Sequence, residues 1–360
     1  MSKGHRALEN VCANPSKKVC ICGGGNLGHV AAGFIASQPA FEVSLLTRQP
    51  ERWSRQLVID RPDGQPLRAT LRRVSSDPRE VVCDADVVLL CLPGYSIREV
   101  LMQVRGHLLR GAAVGSVVSS TGFFFQAMEL LPAGTPLFGL QRVPFIARTE
   151  EYGRRAALLG YKESLRLAVE PSSQRECLRL MAEQLFKTPT ILMDSYYEVS
   201  LSNSNPLLHP ARLYDLWSRW RPGTVYVQVP LFYEEWTERA AELYIAMDSE
   251  LHQLLGALHV RQESVPTVHD YYASTDAASL AHKLRSIEAF KGIRAPMQAA
   301  VGGFVPDFSS RYFTEDFPYG LAFVRRLAHE HNIPSPVIDT IFDWGTAWMK
   351  VLAPVKEFRS

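Results

Sequence analysis

The sequence predicts a Rossmann-type, doubly wound α/β domain followed by a mostly α-helical domain. Short apolar runs alternate with helical patterns in the first part of the chain, which is typical of a parallel sheet covered by helices. A glycine-rich loop, 23–28, follows the first of these runs. Beyond residue 197 the apolar positions recur at helical spacing instead. We therefore assign 1–196 to the α/β domain, which carries the glycine-rich loop, and 197–360 to the helical domain.

The elements of the first domain follow from where the apolar runs begin and end. Residues 86–92 form an unbroken apolar run, which suits a parallel strand buried on both faces. A Pro62-Asp63-Gly64 turn within 57–73 predicts an inserted hairpin. The other predicted elements are strands at 17–22, 41–46, 112–118, 137–140, 165–169 and 190–193, and helices at 27–37, 97–109 and 173–185.

The second domain is predicted from a 3.6-residue apolar period. The longest such pattern covers 231–258, where Met247, Leu251 and Leu254 share one face. The other predicted helices are 279–290, 318–331 and 335–352.

Composition restricts the partners that we expect. The net charge of +2 over 360 residues offers no electrostatic reason to bind nucleic acid or an anionic membrane. No apolar run reaches the roughly 18 residues that span a bilayer, and residues 1–18 lack the apolar core of a signal peptide. The six cysteines include no CxxC pair or Cys/His cluster, so no metal is expected. We expect a cytoplasmic protein with small-molecule partners and leave open whether it forms a homodimer.

The glycine loop has the GxGxxG pattern of a dinucleotide site. The pattern alone is weak, but here it follows a predicted strand and opens a predicted helix. Gly23 permits the tight turn, Gly25 lets backbone approach a pyrophosphate, and Gly28 lets the helix pack closely. The alternative is a glycine-rich turn that has lost its ligand. The predicted cofactor-binding residues in this region are Gly23, Gly25, Asn26, Leu27, Gly28 and Pro93, the last of which ends a central strand.

The end of the second strand favours NADP(H) over NAD(H). NAD sites usually place an acidic residue there to hold the ribose 2′-OH. This chain has Leu46-Thr47-Arg48, so Arg48 can pair with a 2′-phosphate and Thr47 can donate a hydrogen bond. NAD(H) binding stays open, since Arg48 would stack on the adenine of either cofactor.

One histidine lies in a segment framed by prolines. Asn205 or Ser204 is an N-cap candidate, and Pro206 suits the first helical position. Asn205 and His209 are four residues apart and share a helix face, which makes Asn205 a candidate substrate-binding residue. Pro210 predicts a bend. The alternative is a structural histidine at a capped helix start.

A second polar segment, 310–320, offers partners for this histidine. Asp316 can accept a hydrogen bond from the His209 ring and favour the imidazolium. Arg311 can hold a substrate carboxylate with two parallel hydrogen bonds. An Arg–Asp pair that caps the next helix is the alternative.

A weaker candidate segment, 140–148, follows a predicted strand at the edge where ligands usually bind. Gln141 is a candidate hydrogen-bonding partner of substrate, and Arg142 or Arg148 a candidate for a second carboxylate. Solvated surface arginines explain these positions equally well.

Taken together, these motifs make the chain resemble the octopine/nopaline (opine) dehydrogenase family. In that family a histidine and an aspartate form the catalytic dyad and an arginine belongs to the substrate site, roles that the resemblance places on His209, Asp316 and Arg311. Besides the glycine loop, the matching segments are 205–210, 232–237, 248–250, 292–296 and 311–321.

The resemblance implies an NAD(P)H-dependent reductive condensation of an amino acid with a 2-oxo acid, such as pyruvate, through an imine. A reductase of the ketopantoate or 2-hydroxy-acid kind, acting on a carbonyl, is one alternative. Such enzymes often use a lysine as the acid, and the lysines of this domain lie in no recognisable motif. A non-catalytic NADP(H)-binding sensor is the other alternative, although sensing needs no acid–base group.

Overall fold

The computed structural model describes residues 16–352, with side chains through residue 350. The chain divides into two compact units, Met1–Ser200 and Leu201–Ser360. The division follows a short helix, Tyr196–Ser200, that contains the expected boundary at 196/197.

The first unit is an α/β structure. Its strands are β1 (Lys17–Cys22), β2 (Phe41–Leu46), β3 (Gln56–Asp60), β4 (Leu67–Thr70), β5 (Arg73–Ser75), β6 (Val87–Leu90), β7 (Ala113–Ser116), β8 (Leu137–Leu140), β9 (Phe145–Glu151), β10 (Arg155–Tyr161), β11 (Leu165–Glu170) and β12 (Thr190–Leu192). Its helices are α1 (Asn26–Ala36), α2 (Pro78–Val81), α3 (Gly94–Val104), α4 (Phe123–Leu130), α5 (Arg175–Phe186) and α6 (Tyr196–Ser200).

An eight-stranded sheet forms the centre of this unit, in the order β12-β11-β8-β7-β6-β1-β2-β5. In the part of the sheet that runs β8-β7-β6-β1-β2-β5, each strand is parallel to the strands beside it. The strand β11 pairs with β8 in antiparallel orientation. Apolar clusters cover both faces: Val19 and Ile21 of β1 face one cluster, whereas Cys20 and Cys22 face the other. The predicted doubly wound fold is confirmed.

A second sheet, β4-β3-β10-β9, packs against α1. The predicted hairpin insertion supplies β3 and β4, which pair antiparallel. The strands β9 and β10 were not predicted; the sequence of β9 is polar and lacks a continuous apolar run, whereas β10 does contain a short one, 156–159. This sheet brings the β9–β10 turn beside the start of α1, where Asn26 Oδ1 accepts a hydrogen bond from the Thr149 N–H.

The second unit is mostly helical, as predicted. Its elements are α7 (Asn205–Trp217), α8 (Glu238–Ala257), α9 (Val268–Tyr272), α10 (Ala277–Ser286), β13 (Met297–Ala300), β14 (Gly303–Pro306), α11 (Arg311–Thr314), a π-helical turn (Phe317–Leu321), α12 (Ala322–Glu330) and α13 (Pro336–Leu352). The predicted helix 231–258 begins only at Glu238, because the Thr237 side chain accepts the Ala240 N–H and caps it there. Residues 231–237 therefore form a loop.

The cysteines of the described region are free thiols. Cys20, Cys22 and Cys91 are buried, whereas Cys83 and Cys177 lie outside the sheet and are exposed. Cys12 is outside the described residues. Across 16–352, the helices are too short or too polar to cross a bilayer.

Candidate active site

The glycine loop has the geometry that its sequence predicts. Gly23 adopts a φ of +122°, and a Cβ there would lie 2.5 Å from the Cys91 carbonyl oxygen. A Cβ on Gly28 would overlap the Gly23 carbonyl oxygen, so α1 can approach the loop only with glycine at this position. A Cβ on Gly25 would meet no protein atom within 4 Å. Gly25 therefore faces open space at the α1 N-terminus, which suits an anion.

A cleft of ≈ 700 Å³ opens beside this loop. Asn26 and Leu27 are not among its lining residues; Asn26 bonds to β9, and Leu27 packs on the core. The predicted cofactor-binding residues that line it are Gly23, Gly25, Thr47, Arg48 and Pro93.

One end of the cleft is basic and polar. Thr47, Arg48 and Ser76 line it after β2 and β5, without an acidic residue at the position that NAD sites use. The Arg52 guanidinium lies 4.3 Å from the centre of the Tyr152 ring and donates a 2.8 Å hydrogen bond to Gln49 Oε1. Arg52 thus packs against two residues that line this end of the cleft, Gln49 and Tyr152. Tyr152 was not predicted from the sequence as a cleft residue.

His29 connects the glycine loop to the second sheet. Its Nδ1 lies 2.9 Å from the Gly25 carbonyl oxygen, and the Gly153 N–H donates to Nε2 over 2.7 Å. Because a carbonyl only accepts, the ring proton is on Nδ1. Burial lowers the pKa of His29 below its usual value, which keeps the ring neutral. The neutral ring therefore holds the cofactor loop and the Tyr152 turn together.

The second unit contains a buried acid–base group. His209 Nδ1 lies 2.7 Å from Asp316 Oδ2, although the two residues are 107 positions apart. His209 Nε2 lies 2.9 Å from the Tyr233 hydroxyl. His209 and Tyr233 are 8% and 5% exposed, so the hydrogen bond between them is shielded from water, and the bond to Asp316 is partly buried. This arrangement can hold a proton on the ring and release it at Nε2.

The local sequence explains where these groups lie. His209 is in the second turn of α7, which continues from Asn205 past Pro210 to Trp217. The segment is a helix start with Ser204 at the N-cap position, one of the two predicted candidates. The Asn205 N–H donates to Asn203 Oδ1 over 3.3 Å. Neither Ser204 nor Asn205 caps it by a side-chain bond, since Ser204 itself has helical backbone angles. The Asn205 side chain is exposed.

Asp316 lies between α11 and the π-helical turn. Irregular helical turns of this kind often occur at functional sites, because they redirect a side chain from the regular helical path. The ring of Tyr312 packs edge-on against the His209 ring, with centres 4.6 Å apart. One short segment thus supplies both the carboxylate and an apolar wall for the imidazole.

Arg311 forms an ion pair with Glu315. Its guanidinium bonds Glu315 through Nε and Nη2, both at 2.7 Å, and its side chain is 82% exposed. In place of the Arg–Asp pair that was the alternative, Arg311 pairs with Glu315, and Asp316 bonds His209 as predicted. Arg311 lies at the start of the same segment, on the solvent side.

The weaker candidates lie in the first unit. Gln141 directly follows β8, and its backbone N–H donates to the Arg166 carbonyl oxygen over 2.9 Å. Arg142 and Arg148 are exposed, the latter on β9. The structure thus places Arg148 on a strand of the second sheet rather than in a loop after β8.

Sequence analysis also missed the position of Tyr233. The motif Phe232-Tyr233 was noted as part of the resemblance, but a predicted helix start concealed its contact with His209. The Thr237 cap was the available signal that the helix begins later.

Comparison with known proteins identifies the helical unit. Residues 192–349 match the family described as NAD/NADP octopine/nopaline dehydrogenase, alpha-helical domain. The chain is 27% identical to octopine dehydrogenase of Mizuhopecten yessoensis, across 91% of this chain and 89% of the relative. It is 26% identical to tauropine dehydrogenase of Arabella iricolor, across 91% and 90%.

A solved structure supports the same relationship over both units. Octopine dehydrogenase with NADH and L-arginine superposes with a TM-score of 0.81 at 25% identity, across 93% of this chain and 90% of that one. The helical unit thus matches the octopine/nopaline (opine) dehydrogenase family, and the chain as a whole is similar to solved and curated opine dehydrogenases.

Proposed function

We propose that this protein is an opine dehydrogenase that uses NAD(P)H to condense an amino acid reductively with a 2-oxo acid. The His209–Asp316 pair carries this proposal, because it provides an imidazole that can donate a proton, and it lies in the unit that matches the family. Relatives are named for octopine and tauropine, and one solved relative is described with pyruvate. A pyruvate-like 2-oxo acid is accordingly the proposed acceptor.

The chemistry assigned to each residue follows from its position. When the dinucleotide is bound, it supplies the hydride. Asp316, as a carboxylate, stabilises the protonated ring of His209, which acts as the acid when the oxo oxygen leaves as water. His209 is fixed in one orientation by bonds at both nitrogens, so the proton is delivered along one direction.

Substrate contacts are proposed for four further residues. Arg311 would exchange its bond to Glu315 for the carboxylate of a substrate, since both are bidentate partners of a guanidinium. The other proposed substrate-binding residues are Gln141, Arg148 and Asn205.

For the cofactor, we propose a preference for NADP(H), with NAD(H) accepted. Arg48 and the polar side chains around it favour a 2′-phosphate, and the end of β2 lacks the carboxylate that would repel one.

The experiment that tests the function omits one reactant at a time. NADPH or NADH oxidation is measured with pyruvate alone, with an amino acid pool alone, and with both together. We expect oxidation only with both. Oxidation with the 2-oxo acid alone would instead support a carbonyl reductase, and binding of the cofactor without any oxidation would support a sensor.

A further inference from the structure

Both nitrogens of the proposed acid, His209, are already engaged. Asp316 Oδ2 lies 2.7 Å from Nδ1, and the Tyr233 hydroxyl lies 2.9 Å from Nε2. A carboxylate only accepts, so Nδ1 keeps its proton and Nε2 is the nitrogen that exchanges one. The proton that leaves Nε2 therefore meets the Tyr233 oxygen first.

The direction of this hydrogen bond depends on the charge of the ring. With neutral His209, the Tyr233 O–H donates to Nε2. With the imidazolium, Nε2–H donates to the Tyr233 oxygen, and the phenol proton turns to another acceptor. Burial raises the pKa of Tyr233 well above its usual value, so this residue is a phenol and not a phenolate.

The position of the Tyr233 hydroxyl is set by packing as well as by His209. Its ring stacks on Phe290 with centres 4.0 Å apart, and on Trp236 at 5.9 Å. Phe232 packs against it edge-on. A phenylalanine at this position would keep these contacts and lose only the oxygen.

We propose that Tyr233 donates a proton to the substrate and that His209 then reprotonates Tyr233; this role rests on the proposed function. The substrate at this step is the carbinolamine formed from the amine and the 2-oxo acid. The Tyr233 O–H bond breaks as an O–H bond forms on the carbinolamine hydroxyl. The proton of His209 Nε2 moves to the Tyr233 oxygen.

The carbinolamine C–O bond then breaks, and its electron pair leaves with water. The nitrogen lone pair forms the C=N bond of the iminium ion. The positive charge has moved from His209 to the iminium, so charge is conserved, and Asp316 stays a carboxylate. The iminium carbon is the hydride acceptor of the proposed reaction.

Tyr233→Phe tests the proposal, with Tyr214→Phe as the matched control. Tyr214 lies on α7, the helix of His209, and its ring packs edge-on against Trp344 instead. We expect Tyr233→Phe to lower turnover by about 10²-fold or more, with the dissociation constant of the cofactor unchanged and Tyr214→Phe close to wild type. Turnover of Tyr233→Phe at the wild-type rate would overturn the proposal.

A proton inventory distinguishes a relay from a purely structural role. Rates are measured in mixtures of H₂O and D₂O. Two protons in flight predict a curved plot for the wild type and a straight plot for Tyr233→Phe. A straight plot for the wild type would refute the relay, whether or not the variant folds.

Failure of the function itself is recognised separately, as absence of cofactor oxidation by the wild type with any amino acid and 2-oxo acid. The Tyr233–His209 couple is then tested by ¹⁵N NMR of the resting protein. Tyr233→Phe should shift the Nε2 resonance of His209, and Tyr214→Phe should not. An unchanged Nε2 resonance would contradict the proposed couple.

Discussion

At the residue scale, the proposed reaction depends on the buried imidazole of His209. Its Nδ1 faces a carboxylate and its Nε2 faces a hydroxyl, both within hydrogen-bond distance. A carboxylate at one nitrogen sets the tautomer and stabilises the charged ring. The structural His29 also has a bond at each nitrogen, but both of its partners are backbone groups, and neither is a carboxylate.

The first prediction concerns this residue. His209→Ala should lower turnover by about 10²–10⁴-fold, the usual contribution of a positioned acid. Cofactor affinity should stay unchanged, because the cleft lies in the first unit. Steady-state kinetics and fluorescence titration with NADPH measure the two quantities. The exposed His282→Ala is the control. Unimpaired turnover of His209→Ala would remove the histidine from the mechanism.

The second prediction concerns cofactor choice. Arg48→Ala should weaken NADPH binding by about 10–100-fold, since a hydrogen bond to a charged group contributes about 1.5–3 kcal/mol. NADH binding should change little. Arg68→Ala, an exposed arginine on β4, is the matched control. Equal losses for the two cofactors in the Arg48 variant would show that Arg48 stacks on adenine instead.

At the element scale, the glycine loop performs two separable tasks. Gly28 allows α1 to approach the loop, and Gly25 leaves space for the cofactor. One position therefore affects packing, whereas the other affects binding.

A pair of substitutions tests this division. Gly28→Ala should destabilise the fold by about 1–3 kcal/mol, the usual cost of overpacking. Gly25→Ala should leave stability within about 0.5 kcal/mol of wild type, since its Cβ meets no protein atom. It should nevertheless weaken cofactor binding. Urea unfolding and cofactor titration measure the two effects, and the reverse pattern would contradict these assignments.

His29 predicts how stability depends on pH. Its folded pKa is lowered by burial, so the unfolded chain takes up the proton first as the pH falls. The stabilisation is fully present above about pH 6.5, the unfolded pKa, and is lost as the pH falls through the folded pKa. His29→Gln should flatten the pH dependence of the free energy of unfolding in this window. A variant as pH-dependent as the wild type, with the exposed His282→Gln as control, would refute the assignment.

Elements with a strong local pattern were predictable from the sequence. The continuous apolar run of β6 and the turn between β3 and β4 are set by residues adjacent in the sequence. The structure contains both the predicted strand and the predicted hairpin. The strand β9 escaped prediction because its arginine and glutamate side chains face solvent. The predicted helix at 231–258 was too long, because 231–237 contains good helix formers that the Thr237 cap excludes.

At the scale of the whole molecule, local sequence patterns do not predict contacts between segments that are distant in the chain. Asp316 was matched to His209 through two motifs, but Tyr233 and Tyr152 were not recognised as site residues. Their positions depend on a loop and on a second sheet that form only when the chain folds. The family resemblance pointed to His209 and Asp316, whereas the contact of Tyr233 with His209 became visible only in the structure.

The two units also divide the work of the proposed reaction. The first provides the dinucleotide cleft, and the second provides the held proton. Reductive condensation needs both, whereas a sensor would need only the cleft.

Transfer of deuterium from labelled cofactor into a condensed product tests the central claim most directly. The protein is incubated with NADPH deuterated at the transferred position, pyruvate and an amino acid pool, and new masses are sought. We predict a product with the summed mass of both substrates, less one oxygen atom, that carries deuterium on the carbon now bonded to nitrogen. Deuterium found only in lactate, the reduced 2-oxo acid, would contradict the account.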